Sequence, residues 1–86
     1  MRITALAGGV GAAKFLRGLS AVTDANKVTI IGNTGDDCTF HGLHISPDLD
    51  IVTYSLAGLI GDHGWGLKQD TSYALEQMSS YGIDTW

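Results

Sequence analysis

Two short apolar runs and one helical stripe set the rhythm of the first half of the chain. Residues 3–7 (ITALA) form a continuous apolar-rich run stopped by Gly8 and Gly9, and residues 28–31 (VTII) form a β-branched run stopped by Gly32 and Asn33. Runs this short, flanked by glycine, predict buried parallel strands rather than helices. Between them, from Ala12 onward, Phe15, Leu16, Leu19 and Val22 recur at helical intervals, with Lys14, Arg17 and Ser20 at other positions. A short turn at residues 24–27 returns the chain to the second strand. The order is therefore strand, glycine-rich loop, helix, strand. Such a crossover makes the strands parallel neighbours with a right-handed connection, the opening unit of a doubly wound sheet. Ligands in these sheets bind beyond the carboxyl ends of the strands.

The second half begins at that end. Residues 34–45 are polar and contain glycine, which predicts a loop. Ser46-Pro47-Asp48 then reads as a helix start, with Ser46 as cap, Pro47 at the first helical position and Asp48 near the positive end of the dipole. Leu49, Val52, Leu56, Leu59 and Ile60 supply its apolar stripe. After a glycine-containing loop at residues 61–68, Asp70 is placed to cap a last helix running to Tyr81, with Gly82 as its stop. Two strands and three helices result. A two-stranded parallel sheet exposes both edges and buries little. Residues 1–86 are thus expected to be the N-terminal part of a single larger α/β domain, a Rossmann-like parallel sheet with flanking helices that is incomplete at its C-terminus.

Composition narrows the partners. With 44% hydrophobic residues the 86-residue chain is rich enough in apolar groups to fold. Five Lys and Arg against nine Asp and Glu give a net charge of -4, which offers no general attraction to nucleic acid or to an anionic membrane. Cys38 is the single cysteine, so neither an internal disulfide nor a zinc knuckle is available, and a reducing, cytoplasmic setting is expected. The first apolar run is broken by glycine and Lys14 before it reaches the length of a signal-peptide core, and no run approaches a membrane span.

The candidate chemistry lies where the strands end. In GGVGAAKFLRG (residues 8–18), Gly8, Gly9 and Gly11 let the backbone turn sharply and approach a ligand, while the following helix aims free N–H groups at an anion. The stretch lacks the third glycine of G-x-G-x-x-G, and Lys14 lacks the neighbours of a P-loop lysine. Alone, it fits a structural turn as well as a phosphate cradle. Asp36 and Asp37 follow the second strand, where such sheets place an acid for ribose or metal, although Gly-Asp-Asp is also ordinary turn composition. Asp48 and Asp50, two apart on a helix, fall on roughly opposite faces and are not expected to address one ligand in the same way. Capping and dipole explain Asp48; Asp50 is the better site candidate. Asp36 with Asp50 would offer Mg²⁺ two hard oxygen ligands. His41 and His44 read as hydrogen-bonded loop histidines, Cys38 has no activating base beside it, and Trp65 serves equally as a stacking ring or a packing anchor.

Taken together, GGVGAAKFLRGL, GNTGDD, HGLHISPDLDIVTYSLAGLI, GWG and the Asp70-Thr71 pair closely resemble the start of the 2-phospho-L-lactate transferase family, the CofD or FbiA proteins of coenzyme F-420 biosynthesis. HISPDLD is the most specific piece, and the resemblance runs the length of the chain. It implies a Rossmann-like enzyme that uses Mg²⁺ to move a 2-phospholactyl, or in many bacteria a phosphoenolpyruvyl, group from a guanosine diphosphate ester of the lactyl-2-diphospho-5'-guanosine type to the deazaflavin Fo, with release of GMP. Residue by residue, it implies that Gly9, Val10, Gly11 and Ala12 approach the donor diphosphate with Lys14 as a phosphate neighbour. It further implies that Asp36 and Asp50 hold the metal, and that Asp50 also binds Fo and is catalytic. Ala12 stands where many members have glycine. The partners implied are these small molecules, with no nucleic acid or membrane, and a homodimer is compatible with them. The family's proteins are considerably longer, so the 86 residues alone are expected to be inactive. The alternative is a regulator of the same superfamily that binds nucleotide-sugars. An NAD-dependent dehydrogenase is disfavoured by the missing third glycine and by the lack of a single acid at the end of the second strand.

Overall fold

In a computed structural model, which describes residues 1–61 and 66–84, β1 (Ile3–Ala7) and β2 (Val28–Gly32) form where the apolar runs predict them. They pair in parallel, from Ile3 opposite Val28 to Ala7 opposite Gly32. Asn33 extends the ladder by donating its backbone N–H to Ala7 O at 2.8 Å. Alternation along the strands divides the two faces. Ile3, Ala5, Ala7, Val28 and Ile30 point inward, whereas Leu6 and Ile31 point outward and are 82% and 53% exposed.

The inward face carries α1 (Gly9–Val22) and α2 (Pro47–Leu56), which pack against each other. Ala7, Ala13, Leu16, Ile51 and Val52 form the core, with Ala5, Ala12, Leu19, Ile30 and Ile60 packed around it. Alanine at positions 7 and 13 leaves room for close approach, and the buried Ser55 hydroxyl donates to Ala13 O at 3.3 Å. A hydroxyl in that position needs such a partner, since burial without one is costly. Between α1 and β2 the turn at residues 24–27 tightens into a 3₁₀ helix (Ala25–Lys27), capped by the Asp24 side chain.

Four expectations change. First, α1 begins at Gly9 rather than Ala12: Gly8 is extended, and Gly9, at φ 67°, completes the turn in one residue. The glycine loop is therefore the first turn of the helix. Second, the loop at residues 34–45 contains a hairpin, β3 (Cys38–Phe40) with β4 (Leu43–Ile45), closed by His41 and Gly42 at φ 52° and 77°. Two consecutive left-handed residues make the turn that matches strand twist. The described residues thus hold four strands in two separate sheets, not two strands.

Third, the buried side of α2 is Ile51, Val52 and Ser55, while Leu49, Leu56 and Leu59 remain 40%, 43% and 46% exposed. The cause lies beneath Leu49: its Cδ2 occupies the space a Cβ on Gly32 would fill, so the helix rests on the end of β2 through that contact. Fourth, α3 (Tyr73–Ser80) is shorter than residues 70–81 and follows Ser72, because the Asp70 carboxylate accepts from the N–H of Thr71 instead of capping the helix. Gly82, at φ 83°, ends α3 as expected, and Ile83 N–H reaches back to Met78 O. Gly64, Trp65 and Trp86 lie outside the described residues. Among those described, no helix is long and apolar enough to cross a membrane.

The Gly32 contact is testable by unfolding in urea. Gly32→Ala forces its methyl into Leu49 and should cost about 1–3 kcal/mol, as overpacking does. Adding Leu49→Ala should return much of that loss. Gly11, by contrast, is helical, and a Cβ there meets nothing within 4 Å. Gly11→Ala should therefore be neutral or stabilise by up to about 1 kcal/mol.

Candidate functional site

The carboxyl ends of β1 and β2 lead to two helix starts of opposite character. The first helical turn of α1 (Gly9, Val10, Gly11) contains no acidic residue, and no side chain caps it. The opening N–H groups of any helix lack partners within it, so this start suits an anion. The first turn of α2 holds Pro47, Asp48 and Asp50. Its dipole is met by carboxylates of its own.

A cavity of about 310 Å³ lies between them. Gly9 and Val10 border it from α1; Pro47, Asp48, Asp50, Ile51 and Tyr54 border it from α2, and Gly66 lies alongside. The approach is close, since a Cβ on Gly9 would stand 3.7 Å from Asp48 Oδ1. Asp48 and Asp50, expected on opposite faces, both border this one cavity, because it sits over the N-terminal turn where the helix end is open. Tyr54 follows Asp50 by four residues and so shares its side of α2.

Asn33 holds the arrangement together. Its Nδ2 donates to Asp48 Oδ2 at 2.8 Å, and its Oδ1 accepts from Gly35 N–H at 3.0 Å. One side chain thus ties the end of β2 to the start of α2 and shapes the GNTGDD loop. Neither Asn33 nor Tyr54 stood out in the sequence. Helical spacing from Asp50 is the signal that would have found Tyr54, whereas an asparagine after a strand reads only as a turn residue.

The remaining candidates are distributed around this cavity. Lys14 lines a neighbouring cavity of about 160 Å³ with Arg17, Ser55 and Ile60, and shares Val10 and Ile51 with the first. Gly11 is exposed, and Ala12 is half-buried with its methyl packed toward the core. Asp36 is exposed in the turn before β3 and borders neither cavity. The structure therefore brings Gly9, Val10 and Asp50 together, places Lys14 next door and leaves Asp36 on the adjacent loop.

Asp37 has a different environment. Its Oδ2 accepts from Ser46 Oγ at 2.7 Å and lies 3.1 Å from His44 Nε2, while Ser46 Oγ is 3.3 Å from the same Nε2. Ser46 does not cap α2 with its side chain, contrary to expectation, because its hydroxyl is turned to Asp37. Serine, histidine and aspartate meet here without forming a hydrolytic triad. A triad uses one ring nitrogen for serine and the other for aspartate, whereas a single nitrogen faces both here. His44 is thus a hydrogen-bonded histidine, and His41 occupies the hairpin turn beside Phe40, with ring centres 4.3 Å apart. Cys38 is an exposed free thiol on β3.

The donor set bears on metal chemistry. Asp36, Asp48 and Asp50 offer hard oxygen atoms, and among the described residues no three His, Cys, Asp or Glu side chains converge into a protein-made cage. Mg²⁺ usually takes one or two carboxylates and completes its shell with waters and substrate phosphates; Asp48 and Asp50 border the cavity, and Asp36 does not.

Comparison with known proteins identifies the family. The family model described as 2-phospho-L-lactate transferase CofD matches residues 3–84. A phosphoenolpyruvate transferase of Kitasatospora aureofaciens is 51% identical over 85 residues, covering 96% of this chain and 26% of the relative. One from Streptomyces avermitilis is 48% identical over 84 residues, with the same shares. A 2-phospho-L-lactate transferase of Methanocaldococcus jannaschii is 45% identical over 83 residues, covering 95% of this chain and 27% of the relative. The chain spans about a quarter of the length of the curated relatives it matches. The match over nearly every residue, on an α/β unit whose two helix starts enclose a carboxylate-rimmed cavity, shows that the chain belongs to the 2-phospho-L-lactate transferase (CofD) family.

Proposed function

We propose that the protein carrying this segment transfers a 2-phospholactyl or phosphoenolpyruvyl group from a guanosine diphosphate ester to the deazaflavin Fo, releasing GMP, in coenzyme F-420 biosynthesis. The observation that carries the reading is the cavity with an acid-free helix start on one side and two carboxylates on the other. Family membership and the names of the relatives, phosphoenolpyruvate transferase and 2-phospho-L-lactate transferase, support it. The outward-facing Leu6 and Ile31 also fit a segment that opens a longer domain, whose remaining sheet and helices would cover them.

In this reading the N-terminal N–H groups of α1, at Gly9, Val10, Gly11 and Ala12, face the donor diphosphate, with Lys14 as a point charge beside it. Asp50 orients the terminal ribityl hydroxyl of Fo. That oxygen attacks the β-phosphorus, its proton passes to water, and the bond from the β-phosphorus to the bridging oxygen breaks, so that this oxygen leaves with GMP. Asp36 and Asp50 are the residues that would hold Mg²⁺, which when bound supplies neutralisation of charge on the transferring phosphate. The protein's part is positioning and electrostatics. Val10, Pro47, Ile51 and Tyr54 give the cavity an apolar wall suited to the deazaflavin ring, with the Asp50 carboxylate at the sugar-like end.

Two substitutions in the full-length protein test these roles. With Fo and donor supplied, Asp50→Asn should lower kcat on the order of 10²-fold or more, as loss of a positioned charged group does. Its urea midpoint should stay unchanged, because the carboxylate is exposed. Wild-type turnover in this variant sinks the role assigned to Asp50. Tyr54→Ala should raise the KM for Fo about tenfold, equivalent to about 1.4 kcal/mol of ring contact, with kcat less affected. Calorimetry that finds tight nucleotide-sugar binding and no Fo binding would replace the transferase by a regulator.

A further inference from the structure

We propose that Asp37 is the positioning residue of the site: through Ser46 it locks the loop that carries Asp36 onto the first turn of the helix that carries Asp50. The inference rests on the reading above, in which those two carboxylates share a metal. Its basis is a pair of anchors on either side of Asp36. On the upstream side, Asn33 donates to Asp48 on α2 at 2.8 Å. On the downstream side, Asp37 accepts from Ser46, the residue just before α2, at 2.7 Å. Within the loop, Asp37 N–H donates to Thr34 O at 3.1 Å, and Asp50 N–H donates to Ser46 O at 3.0 Å. Asp36 therefore sits between two bonds that both end on the start of α2, and Asp50 lies one helical turn past the second.

Two features set Asp37 apart from a residue retained for stability alone. Ser46 would ordinarily satisfy a free N–H of α2, and the helix forgoes that cap so that its hydroxyl can reach Asp37. The Asp37 side chain is 16% exposed, and its Oδ1 is buried with no hydrogen-bond partner among the described residues. A buried carboxylate oxygen without a partner is costly. His44 Nε2, 3.1 Å from that same oxygen, adds a contact from the hairpin, so β4 and α2 converge on one atom.

The test uses the full-length protein, with Mg²⁺ dependence of turnover and Mn²⁺ binding in the absence of substrates as separate readouts. Mg²⁺-dependent wild-type turnover that is lost in Asp50→Asn supports the underlying reading, and turnover independent of Mg²⁺ overturns that reading, whatever the Asp37 variants do. Asp37→Ala and Ser46→Ala should each weaken Mn²⁺ binding and raise the Mg²⁺ needed for half-maximal turnover about 10-fold, as loss of an orienting outer-sphere partner does. Asp37→Asn keeps an oxygen to accept from Ser46 and should stay within about threefold of wild type on both readouts, a small share of the range seen when such partners are lost. If Asp37→Ala lowers thermal stability but leaves both metal readouts unchanged, Asp37 is structural only. If Asp37→Asn loses metal as severely as Asp37→Ala while remaining folded, Asp37 is itself a ligand. Either result overturns the proposal.

Discussion

The contact of Leu49 with Gly32 sets how α2 sits on the sheet, and the site depends on that seating. With no side chain at position 32, Leu49 presses onto the end of β2, and the next turn of the helix delivers Ile51, Val52 and Ser55 to α1. Ala13 and Ser55 are small enough for the two helices to touch, and the Ser55 hydroxyl finds a carbonyl on α1. Two helices pinned in this way start at the same end of the sheet. Their N-termini are close because their bodies are packed, without any bond between the termini themselves.

That placement converts a backbone property into chemistry. Parallel strands send both helices off in the same sense, so two positive dipole ends converge at one cavity. If both were bare, the cavity would simply attract anions. Asp48 and Asp50 reverse the sign on the α2 side, leaving an anion-seeking wall at Gly9 and Val10 and a cation- or hydroxyl-seeking wall opposite. In the transferase reading proposed above, such a division would hold the electrophile and the attacking oxygen in unlike surroundings at short range. The Asn33 bond to Asp48 ties one carboxylate to the end of β2, while Asp50 borders the cavity one helical turn past Ser46.

Much of this was legible in the sequence, for physical reasons that can be named. β1 was read to the residue and β2 to within one, because buried strands are continuous apolar runs and glycine bounds them. Pro47 marked the start of α2, since a proline ring fits only the first helical turn. The hairpin escaped because three-residue strands bearing Thr39 and His44 show too little alternation to separate from a polar loop. The expected stripe held at Val52, which is in the core, and at Ile60, which packs against it, but not at Leu49, Leu56 and Leu59, because hydrophobicity counts leucines whereas the seat at Gly32 and the small Ala13 decide which residues face in. At the site, the sequence pointed to Gly9, Val10 and Asp50, and these three border one cavity. It gave no sign of Asn33, whose role exists only when the end of β2 and the start of α2, 15 positions apart, are brought within a hydrogen bond.

The loop between those elements shows why such ties matter. A five-residue stretch from Asn33 to Asp37, rich in glycine and short polar side chains, has little of its own to fix it, and an exposed acid on it would sample many positions. Each end is instead bonded to α2, whose own position is set by the core. Rigidity is thus carried outward from Ile51 and Val52, through the helix start, to a carboxylate that touches neither. Asp37 takes part in this through one oxygen, which meets both Ser46 and His44, while its other oxygen is buried without a partner among the described residues.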